Sequence, residues 1–171
     1  LDSARKRYNI RFDKFSIAII HPVTTNLKNL KRESEIFFSA LVKTSLKYIV
    51  LFPNNDLGSE IILKEIYKLK SNNKFKIFPS IRFEYYLTFL KTSKFIIGNS
   101  SSGIMEAPYY GVTTINIGTR QNNRLKTKLI KNIPFVEKKI IKVVNQVKNR
   151  KIVKRKFFGE GNASKKIETL L

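Results

Sequence analysis

Three consecutive serines, Ser100, Ser101 and Ser102, lie between Gly98 and Gly103, and the chemistry such a cluster supports is the grip of an anion. They follow the apolar run "KFIIG" (94–98) and open a helical stretch at 101–110. At a helix start the first backbone N–H groups have no intrahelical acceptor, and the aligned peptide dipoles favour negative charge there. Small side chains let a phosphate approach, and the hydroxyls add donors. Glu106 falls one helical turn beyond Ser102, where a carboxylate can take the hydroxyls of a ribose attached to that phosphate, as acidic residues do in dinucleotide-binding folds. Arg120, after the next apolar run, suits phosphate oxygens or Glu106 itself. The same residues also read more plainly, as an N-cap with spare serines, a carboxylate placed near a helix start, and a surface ion pair. Neither the "GK[ST]" of a P-loop nor G-x-G-x-x-G is present. Residue types and spacing therefore lead to a nucleotide or sugar-phosphate site and name no reaction.

Those loops need elements to hold them. "FSIAIIH" (15–21), "KYIVLFP" (47–53), "FKIFPS" (75–80), "KFIIG" (94–98) and "TTINIG" (113–118) are runs of consecutive apolar, often β-branched residues. Such runs suit parallel strands covered on both faces. Helical faces lie between them: Leu30, Phe37, Phe38 and Leu41; Ile61, Ile62, Ile66 and Leu69; residues 83–92; and Ile140, Ile141, Val144 and Val147 within 137–150. The alternation predicts a three-layer α/β fold, a doubly wound, Rossmann-like parallel sheet. Residues 1–14 are polar and basic and read as a linker or extended arm, so the domain is expected over 15–171. The ending "GEGNASKKIETLL" reads as a turn and a short helix capped near Asn162 or Ser164. In open α/β sheets ligands sit beyond the carboxyl ends of the strands. This places His21, Asn54, Ile81, the serine loop and Arg120–Gln121 at one rim, although they are far apart in the chain.

Composition removes several function classes. With no cysteine there is no disulfide or thiolate chemistry, and a single histidine, His21, leaves no multi-histidine metal site. No metal and no cofactor is expected. No apolar run reaches membrane-spanning length and no signal-peptide pattern opens the chain, so a cytoplasmic protein is expected. Leu1 in place of Met suggests a piece of something longer. The net charge of +22 would suit a nucleic-acid binder, or solvated lysines dispersed over helix faces, and in either case draws phosphate-bearing ligands.

"GNSSSGIMEAP" followed by "TINIGTRQNNR", with "HPVT" at 21–24, "FPNNDLGS" at 52–59 and "FGEGNASKKI" at 158–167, closely resembles the C-terminal half of hydrolysing UDP-N-acetylglucosamine 2-epimerases. The likeness runs from about residue 15 to the end, and "NIGTRQ" favours the hydrolysing over the non-hydrolysing branch. It implies the second half of a two-domain GT-B arrangement, with the substrate held between halves. The family releases UDP and N-acetylmannosamine, usually for sialic acid synthesis, while some relatives use bacillosamine-like UDP sugars. By resemblance Ser100 and Ser101 hold the diphosphate, and Ser102 and Gly103 of the same loop belong to the UDP site. Glu106 holds the ribose hydroxyls, Asn54 and Ile81 lie against the nucleotide, and Arg120 belongs to the UDP site. His21 matches a histidine implicated in catalysis, able to supply a proton or positive charge to the departing pyrophosphate. The family's acid and base carboxylates belong to the missing half. The chain alone is thus expected to bind UDP weakly and turn nothing over, with Asp56 and Glu160 shaping their loops. Its partners would be UDP or a UDP-sugar, the N-terminal half, and another copy when full length.

Two other readings compete. A basic nucleic-acid module is suggested by nine Lys or Arg and no acid over Lys138–Lys156, but the apolar residues at 140, 141, 144 and 147 make much of that run a packed amphipathic helix. No zinc-finger spacing, RNP-like segment or aromatic stacking platform accompanies it. The donor domain of a GT-B glycosyltransferase shares the nucleotide site, without the "NSSSG…E…NIGTRQ" pattern.

Overall fold

A strand whose apolar side chains are consecutive must be covered on both faces, and the computed structural model, which describes residues 1–148 and 162–169, shows how. The apolar runs become β1 (Ser16–Ile19), β2 (Tyr48–Leu51), β3 (Phe75–Phe78), β4 (Phe95–Gly98) and β5 (Thr113–Ile117). A sixth strand, β6 (Ile130–Ile133), joins them in one sheet of order β3-β2-β1-β4-β5-β6, every neighbouring pair parallel. This is the open, doubly wound Rossmann-like architecture expected from the alternation of elements. The sixth strand escapes the sequence reading because it is a short edge strand, "IKNI", alternating with Lys131 and Asn132 rather than continuously apolar.

The two core layers divide each strand by parity. Ala18 and Ile20 meet a layer built from α2 (Leu30–Lys43), α3 (Ser59–Tyr67) and α6 (Glu137–Val147), where Phe37, Leu41, Ile62, Ile66, Ile140 and Val144 are buried. Ile17 and Ile19 meet the opposite layer, with Phe89 and Leu90 of α4 (Phe83–Thr92) and Ala107 of α5 (Ser102–Tyr109). The helical faces read from the sequence are the faces that are buried. At the far end α7 (Ala163–Glu168) follows Asn162, as expected, while Glu160 and the "FGEG" turn lie outside the described residues.

Residues 1–14 correct an expectation. They do not run out as an extended arm: Asp2–Arg7 forms α1, and Ala4, Ile10 and Phe12 are buried in the second core layer. Asn9 turns the chain back with a positive φ of 48°, and Arg5 Nη2 bonds the carbonyls of Phe12 (2.8 Å) and Asp13 (3.1 Å). Tyr8 sits edge-on to Phe78, Tyr85 and Phe89, and its hydroxyl accepts the Arg82 N–H at 3.0 Å. Four apolar or aromatic side chains spaced through a basic stretch are enough to dock it, and composition averages over them.

Candidate functional site

Strand order reverses between β1 and β4, and at such a switch point the loops diverge to leave a crevice. His21 follows β1 and Asn99 follows β4, so both stand at that crevice. The Asn99 side chain, 1% exposed, bonds the backbone of His21 twice: Oδ1 accepts the His21 N–H at 2.7 Å and Nδ2 donates to its carbonyl at 2.9 Å. From the β2 loop, the Asn54 N–H donates to His21 Nδ1 at 3.0 Å. A backbone N–H can only donate, so Nδ1 carries no proton and Nε2 carries it. From the β5 loop, Gln121 Nε2 (2.9 Å) and Arg120 Nη1 (3.4 Å) point to the Asn99 carbonyl. Four loops distant in sequence are thus tied together.

Burial, then the nearby Arg120 charge, lower the His21 pKa from its ordinary 6.5 to about 4, offset in part by Asn54 and Asp56. The imidazole is therefore neutral at pH 7, an Nε2–H donor. A stability effect follows. Above pH 6.5 the imidazole is neutral in both folded and unfolded chains. Between 6.5 and about 4 the unfolded chain takes up a proton that the folded chain refuses, so stability falls as pH drops through that window. The loss is on the order of 2 kcal/mol. Urea unfolding at pH 7.5 and 4.5 is expected to show a smaller acid loss in His21→Gln than in the unmodified chain. Equal losses would contradict it.

A cavity of about 300 Å³ opens beside the imidazole, lined by His21, Phe52, Ile81, Phe83, Tyr86, Ser100 and Ser102 among others. It brings together three of the expected diphosphate and base residues, with an apolar wall on the Ile81–Phe83 side. Ser102 is less free than its sequence suggests: its hydroxyl pairs with Tyr86 OH, and its N–H reaches Ser100 Oγ at 3.3 Å. Burial, with the Glu106 charge, pushes the Tyr86 hydroxyl well above its usual pKa against the Ser102 bond, so it stays protonated. Ser101 is exposed, and its carbonyl accepts the N–H groups of Ile104 (2.8 Å) and Met105 (2.9 Å).

Gly103 has a packing role as well. Its N–H donates to the Ser100 carbonyl at 3.1 Å, and its carbonyl accepts Thr114 Oγ1 at 2.5 Å. A Cβ there would lie 2.6 Å from Thr114 Cγ2, so the glycine lets α5 sit close on β5. Asp56 accepts a bond from Asn54 Nδ2, the loop-shaping role read for it. Arg120 forms no ion pair with Glu106 among the described residues.

Three buried polar atoms without a partner belong to these loops: Asn54 Oδ1, Glu106 Oε2 and Gln121 Oε1. Buried polar atoms are nearly always bonded; Arg5 Nε and Ser16 Oγ, away from these loops, are the other unpartnered ones among the described residues. Asn99 and Tyr86 are residues that motif reading does not single out, and Gln121 is placed at the rim without a role. Asn99 and Gln121 lie inside the quoted loops, but only their burial and partners reveal what they do. Among the described residues no cluster of His, Asp and Glu could hold a metal ion, and no helix is long and apolar enough to cross a membrane.

Comparison with known proteins places this geometry. A UDP-N-acetylglucosamine 2-epimerase of Neisseria meningitidis serogroup B is 42% identical over 146 residues, 85% of this chain and 38% of that protein. A UDP-N,N'-diacetylbacillosamine 2-epimerase (hydrolyzing) of Legionella pneumophila is 28% identical over 172 residues, 99% of this chain and 46% of that one. In fold, the chain is similar to the Methanocaldococcus jannaschii UDP-GlcNAc 2-epimerase solved with UDP-GlcNAc and UDP, with a TM-score of 0.77 at 22% identity, covering 99% of this chain and 48% of that one. The chain spans less than half the length of each. The family described as UDP-N-acetylglucosamine 2-epimerase matches residues 1–171, and this chain belongs to it.

Proposed function

We propose that this chain is the nucleotide-binding, C-terminal half of a hydrolysing UDP-N-acetylglucosamine 2-epimerase with a GT-B arrangement, and that its crevice holds UDP. The observation that carries the reading is the buried, unpartnered Glu106 Oε2, one turn into the helix that the serine loop opens. A buried carboxylate oxygen without a hydrogen bond costs about 1–3 kcal/mol, and ribose hydroxyls would satisfy it. Ser100 and Ser101 would take the diphosphate at the start of α5, with Arg120 adding charge. Ser102, held by Tyr86, would fix the shape of the turn. Asn54 and Ile81 would flank the nucleoside, and the His21 Nε2–H would donate to the pyrophosphate as it leaves.

In the complete enzyme the sugar C1–O bond breaks as the C2 proton is removed, giving UDP and a 2-acetamidoglucal. Water then adds hydroxyl to C1 and a proton to the opposite face of C2, giving N-acetylmannosamine. The acid and base for these steps belong to the half this chain lacks, so the chain alone binds UDP and turns nothing over. Hydrolysing chemistry is supported by the "NIGTRQ" segment and by the hydrolysing relative. The test is calorimetric titration of UDP into the chain and into Glu106→Ala. The expected loss is on the order of 1–3 kcal/mol of binding free energy. Equal affinities would remove Glu106 from the ribose, and conversion of UDP-N-acetylglucosamine by the chain alone would refute its inactivity.

A further inference from the structure

We infer that Asn99 is a positioning residue of this site: its carboxamide replaces the missing sheet rung at the switch point and aims the His21 imidazole into the crevice. The inference rests on the nucleotide-binding reading above and adds to it a residue that reading does not use.

Sheet pairing between β1 and β4 ends at Ile19 and Gly98, closed by the Asn99 N–H donating to the Ile19 carbonyl at 3.1 Å. Beyond that point the two chains part, because the helices that follow them lie on opposite faces of the sheet. His21 is therefore left with a backbone N–H and carbonyl that no strand can pair. A carboxamide carries one donor and one acceptor in the spacing of a peptide group. Asn99 uses both, at 2.9 and 2.7 Å, on that one residue.

Asn99 is itself held from the far side, where Gln121 Nε2 meets its carbonyl at 2.9 Å. His21 is held from the third side by the Asn54 N–H on Nδ1. With the backbone pinned at both polar groups and Nδ1 occupied, Nε2–H is the donor left to the cavity that His21 lines with Ser100. The charged groups about the imidazole are Arg120 and Asp56. Each alternative at position 99 fails on chemistry. Aspartate keeps the acceptor and loses the donor, serine reaches one group at a time, and alanine reaches neither.

The chain holds one histidine, so its imidazole ¹⁵N signals report this site without assignment. The experiment compares the unmodified chain, Asn99→Ala and Asn99→Asp at pH 7, free and titrated with UDP. The unmodified chain is expected to show an unprotonated Nδ1 and a protonated Nε2. Folded Asn99→Ala is expected to show a mixture of the two neutral tautomers and a UDP Kd about tenfold higher, the scale of one lost hydrogen bond. A residue that served only stability would lower the unfolding midpoint and leave the tautomer unchanged.

If Asn99→Ala does not fold, Asn99→Asp decides through the tautomer, since it keeps size and acceptor, loses the donor to the His21 carbonyl and adds a negative charge that by itself weakens UDP binding. Retention of the original tautomer in the deciding variant overturns the proposal while leaving UDP binding by the unmodified chain intact. Failure of the unmodified chain to bind UDP overturns the nucleotide reading and the proposal with it, whatever the tautomers show.

Discussion

Gly98→Ala is expected to leave the chain largely unfolded at room temperature in mild urea, having lost about 4 kcal/mol or more of a stability that totals about 5–15 kcal/mol. Gly98 has a φ of 135°, a conformation that side-chain-bearing residues rarely adopt. A Cβ on it would lie 1.7 Å from the Ile19 carbonyl oxygen and 2.6 Å from its carbon. Those atoms are backbone of the paired strand and cannot rotate aside. Relief requires β1 and β4 to separate where Asn99 N–H reaches Ile19 O, so the damage enters the sheet and the site together. Urea unfolding followed by far-UV circular dichroism measures it. A midpoint shift corresponding to less than about 1 kcal/mol would show that the strands can part more cheaply than their packing suggests.

Phe95→Ala is expected to cost about 3–5 kcal/mol, the range for truncating a fully buried aromatic. Phe95 begins β4, is 0% exposed, and meets Tyr48 edge-on with ring centroids 6.4 Å apart. Tyr48 is fixed in turn, stacked on Phe75 and hydrogen-bonded to Thr44 at 2.9 Å. Neighbours held by parallel strands on both sides collapse poorly into a phenyl-sized void, which puts the loss toward the upper part of the range. Guanidinium unfolding with an unchanged m-value is the measurement, and a change below about 1 kcal/mol would contradict it. Phe95→Leu, which keeps most of the volume, is expected to cost far less.

The two substitutions stand three residues apart on one strand and differ in how legible they are. That Phe95 is core follows from "KFIIG" alone, because an unbroken apolar run must be covered on both faces. That Gly98 cannot be alanine depends on a carbonyl seventy-nine positions earlier, paired through the register Ile19 to Gly98. The same divide runs through the site. Ser100, Glu106 and Arg120 stand out as candidates by type and spacing, since the anion preference of a helix start is local physics. Asn99 is as plain in the sequence as its serine neighbours, yet its role consists of bonds to His21 and Gln121.

Residues 1–14 show the opposite error. Seven of the fourteen are Arg, Lys or Asp, and charge counted by segment hides Ala4, Ile10 and Phe12, whose burial depends on a surface presented by α4 and the sheet. His21 is legible as a candidate from its place after a strand, but its protonation is not. An imidazole's pKa follows from burial and neighbouring charge, and its tautomer from the Asn54 N–H, neither of which exists until the loops meet.

Local chemistry and periodicity, which act within a few residues, determined by themselves the succession of strands and helices, the layered α/β class and the buried helical faces. The tertiary structure alone decided the sixth strand, the docking of the N-terminal segment, the packing role of Gly103, and the neutral, Asn99-clamped state of His21. Each of these depends on a contact between distant segments, and its energy appears only when folding removes both partners from water.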